Sequence, residues 1–293
     1  MELCLGTVQF GMDYGIQGGK KPTKEHVFDL LQYAASNGIH FIDTACGYGD
    51  AERILGEFHA SSANCFQIIT KLPKDIFKEQ SAMDYIDNVR QFTETSLQHL
   101  MLVKLYGLLF HNPKDLYNDK AVKALLKMKE EGLTEHIGVS VYEPTDAVYA
   151  KQLGFELIQL PINLFNRSFE AFIKSSGTSV KILARSVYLQ GLLLMDTDKV
   201  LDKLPAAYEY IKQFDELCKS YSYTRREVAL AYIKQFKDID TVIFGVDHLV
   251  QLKENIKAFQ KVVPKVIVDE ILRHFDKISE EIASPLNWHL GGR

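Results

Sequence analysis

The chain has 293 residues, of which 46% are hydrophobic and 25% charged. These values are close to those of soluble globular proteins, so a full-sized core is expected and a largely disordered chain is excluded. Thirty-four Lys and Arg against 38 Asp and Glu leave a formal charge of −4, which lacks the basic excess of a general nucleic-acid binder.

The opening stretch, MELCLGTVQFGMDYG, carries no basic residue before Lys20, unlike a secretory leader. No apolar run approaches the roughly 20 residues that span a bilayer. Cys4, Cys46, Cys65 and Cys218 are dispersed and form no CxxC pair, as expected of reduced thiols in a cytoplasmic protein. The expectation is a soluble, cytoplasmic chain with neither membrane nor nucleic acid as partner.

Short apolar runs rich in β-branched or aromatic residues recur along the chain. The first is LCLGTV at 3–8. Val27, Leu30, Leu31 and Ala34 then repeat at helical spacing, with Asn37-Gly38 as the stop. FIDTA (41–45) and QIITK (67–71) follow as strands. Ser81 with Asp84 resembles a capping box ahead of Ile86, Val89, Thr93, Leu97 and Leu100. LYGLLF (105–110) precedes a helix through Val122, Leu125, Leu126 and Lys129 that ends before Gly132. HIGVS (136–140), LIQL (157–160) and VKILARSV (180–187) come next. The long interval before TVIFG (241–245) holds two predicted helices, near 206–220 and 225–236. Leu249, Leu252, Ile256 and Phe259 form another amphipathic stripe. Pro264 introduces a helix near 267–281, and SPLNWHLGGR reads as an irregular tail.

Seven of the eight runs are continuous rather than alternating, the pattern of strands buried on both faces of a parallel sheet. Eight strands, each followed by a helix or helix-sized gap, predict a (β/α)8 TIM barrel occupying residues 1–293 as a single domain, with an extra C-terminal helix and tail. The rival is a doubly wound sheet. Its nearest dinucleotide fingerprint, Gly47-Tyr48-Gly49-Asp50-Ala51-Glu52, lacks the third glycine, and Gln67 stands where a ribose-binding acid belongs. That rival is rejected.

Reactive side chains of such barrels sit at the carboxyl ends of strands and in the loops beyond them. Those positions carry Asp43, Tyr48, Lys71 and His111. Taken one at a time, each has a structural explanation: a cap, half-buried packing, a snorkelling amine, a satisfied core histidine. Together they are expected to converge on one mouth. A free phenol, with a pKa of about 10, is a poor acid near neutrality. An ammonium beside it is expected to lower that value, and Asp43 to keep Lys71 charged and oriented. Cys46, between Asp43 and Tyr48, reads either as an oxidisable thiol or, more simply, as a small buried filler. No HExxH or close His/Asp cluster suggests a metal.

LGTVQFG at the start, FIDTACGYGDAERILG at 41–56, ITK at 69–71 and LLFHNP at 108–113 resemble the aldo-keto reductase superfamily. GVS at 138–140, QLPINL at 159–164 and TVIFGVDHLVQLKENIKA continue the resemblance in order over nearly the whole chain. It implies a barrel that binds NADPH or NADH in extended form. It also implies Tyr48 as general acid for carbonyl reduction or base for alcohol oxidation, tuned by Lys71 and Asp43, with His111 orienting the substrate carbonyl.

The same resemblance assigns Ser140 and Gln159 to the nicotinamide carboxamide, although Val141 replaces the usual Asn beside that serine. Arg185 takes the place of an aromatic residue stacked on the nicotinamide. Ser186, Leu189, Gln190 and Gly191 would approach the pyrophosphate. Where NADPH-using relatives carry Lys, Ser or Arg and then a further Arg, this chain has Gly245, Asp247 and Gln251. Asp247 would repel a 2′-phosphate yet accept from a ribose hydroxyl. Glu254 and Asn255 match adenine contacts. The family favours NADP(H) and these residues lean toward NAD(H), so the choice stays open.

The implied substrate is a small carbonyl or alcohol. The short loop from His111 to about Asp119 suggests an open mouth, wide enough for a sugar derivative. Trp288 lies in a tail that lines the substrate pocket in the family; otherwise it is a surface staple. Two other functions remain: a catalytically silent cofactor-binding regulatory or subunit protein on the same barrel, and an isomerase or lyase using Lys71 as a Schiff base.

Overall fold

The computed structural model describes residues 1–16, 18–78 and 84–288. Its strands are β1 (Glu2–Gly6), β2 (Phe41–Asp43), β3 (Gln67–Lys71), β4 (Leu105–Phe110), β5 (Thr134–Ser140), β6 (Leu157–Pro161), β7 (Lys181–Arg185) and β8 (Ile239–Gly245). Each pairs in parallel with its neighbour in sequence, and β8 returns to β1 to close the barrel. This is the (β/α)8 architecture expected from the sequence.

Adjacent residues of one strand serve two different cores, which is why the strands read as unbroken apolar runs. Cys4, Ile69, Leu109, Leu157, Leu183 and Ile243 point inward and form a buried cluster inside the barrel. Their neighbours Ile68, Leu108, Ile182 and Val242 belong instead to the larger core between sheet and helices. The surrounding helices bury one stripe each. In Lys24–Ser36 that stripe is Val27, Leu30, Leu31 and Ala34, capped by the Thr23 side chain accepting from the His26 N–H. Gly38, at φ +77°, ends it as expected.

Several boundaries differ from expectation. β1 stops at Gly6 because the Thr7 N–H donates to the Asp43 carbonyl at 3.0 Å and the chain enters a helical turn, Val8–Gly11. β2 ends at Asp43, and β7 at Arg185, where a positive φ at Ser186 breaks the extended backbone. The helix Tyr85–Leu100 is capped by Asp84, whose carboxylate accepts the Tyr85 N–H; Ser81 lies outside the described residues. The helix after Pro264 covers only Lys265–Arg273. It ends in i to i−3 bonds, His274 N–H to the Ile271 carbonyl and Phe275 N–H to that of Leu272, as Phe275 drops into the core. Glu280–Ala283 is a separate turn. Trp288 is buried with its indole N–H donating to the Ile282 carbonyl at 3.1 Å, so it staples the tail; 289–293 lie outside the described residues. Among the described residues, no helix is long and apolar enough to cross a membrane.

The turn Pro113–Tyr117, just after the loop carrying His111, buries Asp115, and its Oδ2 finds no partner. Burial pushes this carboxyl up to about 7. The unfolded chain ionises it near 4, so between those values the folded state holds the extra proton and stability falls as pH rises. Asp115→Asn, which supplies a neutral isostere, is expected to match the parent at pH 4. Its thermal midpoint should exceed the parent's by a margin that opens between pH 4 and 7 and levels off above, worth about 1–3 kcal/mol.

Candidate active site

Strand register brings the first cluster together. Asp43, last in β2, pairs with Gly6 of β1 and Ile69 of β3. Lys71 lies two residues further along β3. Its Nζ donates to Asp43 Oδ1 at 2.7 Å and to the Thr44 carbonyl at 2.8 Å, with 1% of the lysine exposed. Gln159, on β6, reaches across the barrel so that its Nε2 donates to the same Asp43 oxygen at 2.7 Å. Asp43 therefore receives an ammonium and an amide on one oxygen.

Tyr48 stands on the loop after β2, which is pressed against the turn after β1. A Cβ on Gly11 would lie 1.6 Å from the Tyr48 carbonyl oxygen, and one on Gly49 only 2.3 Å from that of Gly11. Gly49 also sits at φ +57°. Only glycine permits this approach, and it presents the phenol ring to the mouth. Lys71 Nζ lies 5.3 Å from the ring centroid. The His111 ring meets Tyr48 edge-on, with centroids 6.0 Å apart and planes at 86°. All four residues converge as the sequence suggested.

Their electrostatics depart from expectation at one point. Lys71 does pull the Tyr48 pKa downward, but burial outweighs it and the net displacement is upward. Tyr48 is accordingly a protonated phenol at neutral pH. For Lys71, burial favours the neutral amine, yet Asp43 and Tyr48 prevail and the ammonium is retained. His111 is pushed down to about 3, first by burial and then by the charges of Lys71, Lys74 and Arg185. The imidazole is neutral, with one N–H to donate and one nitrogen to accept. Burial pushes the Cys46 thiol up to about 12, away from the reactive thiolate and consistent with a filler.

The opposite rim is built from β5, β7, β8 and the turn after β1. Ser140, buried, pairs with Gln159 in the ladder. The Arg185 guanidinium donates to the Val141 carbonyl at 3.0 Å and to Ser186 Oγ at 3.3 Å, and lies 4.6 Å from the Tyr142 ring centroid. The Asn163 amide holds the Ser186 carbonyl at 3.0 Å. Beyond it, Leu189 and Gln190 adopt φ of +50° and +53° before Gly191 at +94°. The Gln190 carbonyl accepts from the Ile16 N–H, tying this loop to the turn after β1. Past β8, Gly245 faces the Gln9 side chain, and the Asp247 carboxylate abuts Gly19. Gln251 Oε1 accepts the Asp247 N–H at 2.7 Å.

Glu254 and Asn255 lie further out. Glu254 pairs with Arg226 at 2.8 Å. Asn255 is 1% exposed, its oxygen accepting from Tyr188 and Arg226. The structure thus turns Asn255 inward, as a brace between the loop after β7 and the helix Arg225–Lys234. Gln9, Tyr142, Asn163 and Arg226 were not singled out as site residues, although Gln9 lies within LGTVQFG and Asn163 within QLPINL. Those two motif positions, Gln9 just past β1 and Asn163 just past β6, were the available signal; Tyr142 and Arg226 carried none. Among the described residues, no His/Cys/Asp/Glu group could hold a metal ion.

Comparison with known proteins gives this geometry its family. The Aldo/keto reductase family model matches residues 2–276. The chain belongs to the aldo/keto reductase family. It is 26% identical to the uncharacterized oxidoreductase YqkF of Bacillus subtilis over 88% of this chain and 86% of that protein. It is 24% identical to the pyridoxine 4-dehydrogenase of Escherichia coli, covering 89% of each. Among solved structures, the aldo-keto reductase AKR11C1 from Bacillus halodurans, in its holo form, superposes with a TM-score of 0.77 at 18% identity, over 94% of this chain and 92% of that one. These likenesses support an oxidoreductase.

Two outcomes test the site as built. Removing one partner of a buried ion pair strands the other, at about 3–5 kcal/mol. Lys71→Met should therefore lower the thermal midpoint markedly, and adding Asp43→Asn should recover part of the loss. For His111, the unfolded chain binds a proton near 6.5 and the folded chain only near 3, so stability declines as pH falls between those values. Thermal midpoints of His111→Gln measured across that window should decline less steeply than the parent's.

Proposed function

We propose that this protein reduces a small aldehyde or ketone to an alcohol, or runs the reverse oxidation, with NAD(P)H as hydride source and Tyr48 as proton donor. The observation that carries the reading is the Tyr48 phenol beside a buried Lys71–Asp43 pair, with the His111 ring edge-on to it, all at one mouth.

Tyr48 holds its proton on the phenol oxygen at neutral pH, so a substrate carbonyl oxygen seated against it finds a loaded acid. As negative charge develops on that oxygen, the Lys71 ammonium stabilises the phenolate left behind. Asp43, braced by Gln159, keeps the ammonium in place. The neutral His111 donates an N–H toward the same oxygen, orienting the carbonyl without competing for the proton. Solvent at the mouth then reloads the phenol. Lys71 is held by two hydrogen bonds and stays charged, which disfavours the Schiff-base reading.

The rim suits a nicotinamide dinucleotide. Buried polar atoms without partners cluster there: Gln9 Oε1, Arg185 Nε, Gln190 Oε1 and Asp247 Oδ1. Buried polar groups are ordinarily satisfied, so this set fits a polar ligand. Ser140, Gln159 and Arg185 would hold the nicotinamide end, the backbone of Ser186 through Gly191 the pyrophosphate, and Gly245, Asp247, Gln251 and Glu254 the adenosine end, with Asn255 bracing them from beneath. When bound, NAD(P)H would supply the hydride. The Asp247 carboxylate favours a ribose hydroxyl over a dianionic phosphate, which points toward NADH or dual use.

The test combines fluorescence titration with NADH and NADPH and the fall in nicotinamide absorbance on a panel of aldehydes. Tyr48→Phe should bind nucleotide like the parent and lose turnover by a factor on the order of 10²–10⁴. Equal turnover in parent and variant would remove Tyr48 from the role. Nucleotide binding without turnover of any carbonyl would favour a silent regulatory protein instead.

A further inference from the structure

The charge around the mouth is unbalanced. The cations whose fields reach His111 are Lys71, Lys74 and Arg185. Asp43 is the carboxylate whose field reaches Tyr48, and it is already spent on Lys71. Lys74 is exposed at the rim. Arg185 is different: it is partly buried, stacked on Tyr142 and pinned through both terminal nitrogens to Val141 and Ser186, with Nε buried and unpartnered. It has no carboxylate partner among the described residues. A guanidinium drawn out of water is ordinarily paired with an anion, and its planar fork is suited to carboxylate or phosphate. The hydrogen bonds it does make go to a neutral carbonyl and a hydroxyl, which leave its charge uncompensated.

We propose that Arg185, besides bordering the nicotinamide end, is a specificity-determining residue that recognises an anionic group, carboxylate or phosphate, on the carbonyl substrate. This rests on the reduction reading given above. The anion docks between the ends of β5 and β7, with Tyr142 forming one wall and Lys74 adding long-range attraction from the rim. The carbonyl end of the substrate then faces Tyr48 and His111. A neutral substrate of the same shape leaves the guanidinium unsatisfied and is selected against.

The probes are 4-carboxybenzaldehyde and its neutral isostere 4-carbamoylbenzaldehyde, each assayed with the parent, Arg185→Met and Arg185→Lys, alongside nucleotide titration. The parent is expected to favour the carboxylate in kcat/KM. In Arg185→Met that preference should fall at least about tenfold, chiefly through KM, in line with the loss of one charged hydrogen bond. Arg185→Lys should retain part of it. An unchanged preference in Arg185→Met, or a parent that favours the amide, overturns the proposal. So does a defect confined to nucleotide binding, which would make Arg185 a ligand of the cofactor's own phosphates. If neither aldehyde is turned over, the anion site is tested apart from the reduction reading, which the wider panel decides. Calorimetric titration with terephthalate then decides the anion site: binding to the parent and its loss in Arg185→Met support it, and no binding to the parent overturns it.

Discussion

The buried ion pair between Lys71 and Asp43 is the constraint on which this site depends. Taking two charges out of water is costly, and the attraction between them offsets that cost only when the geometry is good and the remaining donors and acceptors are met. Here the ammonium has the Thr44 carbonyl as a second acceptor, and the carboxylate oxygen has the Gln159 amide as a second donor. Both arrangements need a closed barrel. Asp43 and Lys71 are brought together by adjacent strands, but Gln159 comes from β6, half-way round the ring, and meets Asp43 only because the sheet curves back on itself.

That pair also settles which of two opposing influences governs Tyr48. A nearby ammonium favours phenolate, whereas burial favours phenol, and burial is the larger. A cation already committed to a carboxylate projects a weaker field than a free one. The outcome suits reduction, in which the phenol must begin protonated and needs stabilisation only as the proton leaves. The neutral His111 follows from the same surroundings, since a second positive charge beside Lys71 would be both desolvated and repelled.

Much of this was legible in the sequence because it is local. A strand buried on both faces announces itself as a continuous apolar run, and the residue at its carboxyl end then has a known destination; Asp43, Tyr48, Lys71 and His111 were all found that way. What was missed depends on distance in the chain or on competition. The Gln159–Asp43 bond joins residues 116 apart. The brace of Arg226 on Asn255 and Glu254 links two helices, Arg225–Lys234 and Leu249–Gln260, that share no pattern. The orphaned Asp115 carboxylate is invisible until packing closes over it. The net displacement of the phenol could not be read either, because sequence names the neighbouring charge but not the extent of burial.

The two halves of the mouth differ in readiness. At the ends of β2 and β3 the buried Lys71–Asp43 pair is met by the Thr44 carbonyl and the Gln159 amide, and that charge cluster stands without a ligand. On the side of β7, β8 and the turn after β1, buried polar atoms lack partners and successive residues Leu189, Gln190 and Gly191 occupy the left-handed region. Non-glycine residues held there cost of order 1–3 kcal/mol each and persist where surrounding structure over-determines them. The tie from Ile16 to the Gln190 carbonyl and that from Asn163 to the Ser186 carbonyl supply this restraint. Strain and unmet hydrogen-bonding capacity on one rim are the converse of the self-contained charge cluster on the other. The fold separates a wall fixed by its own charge pair from a wall whose buried polar atoms lack partners.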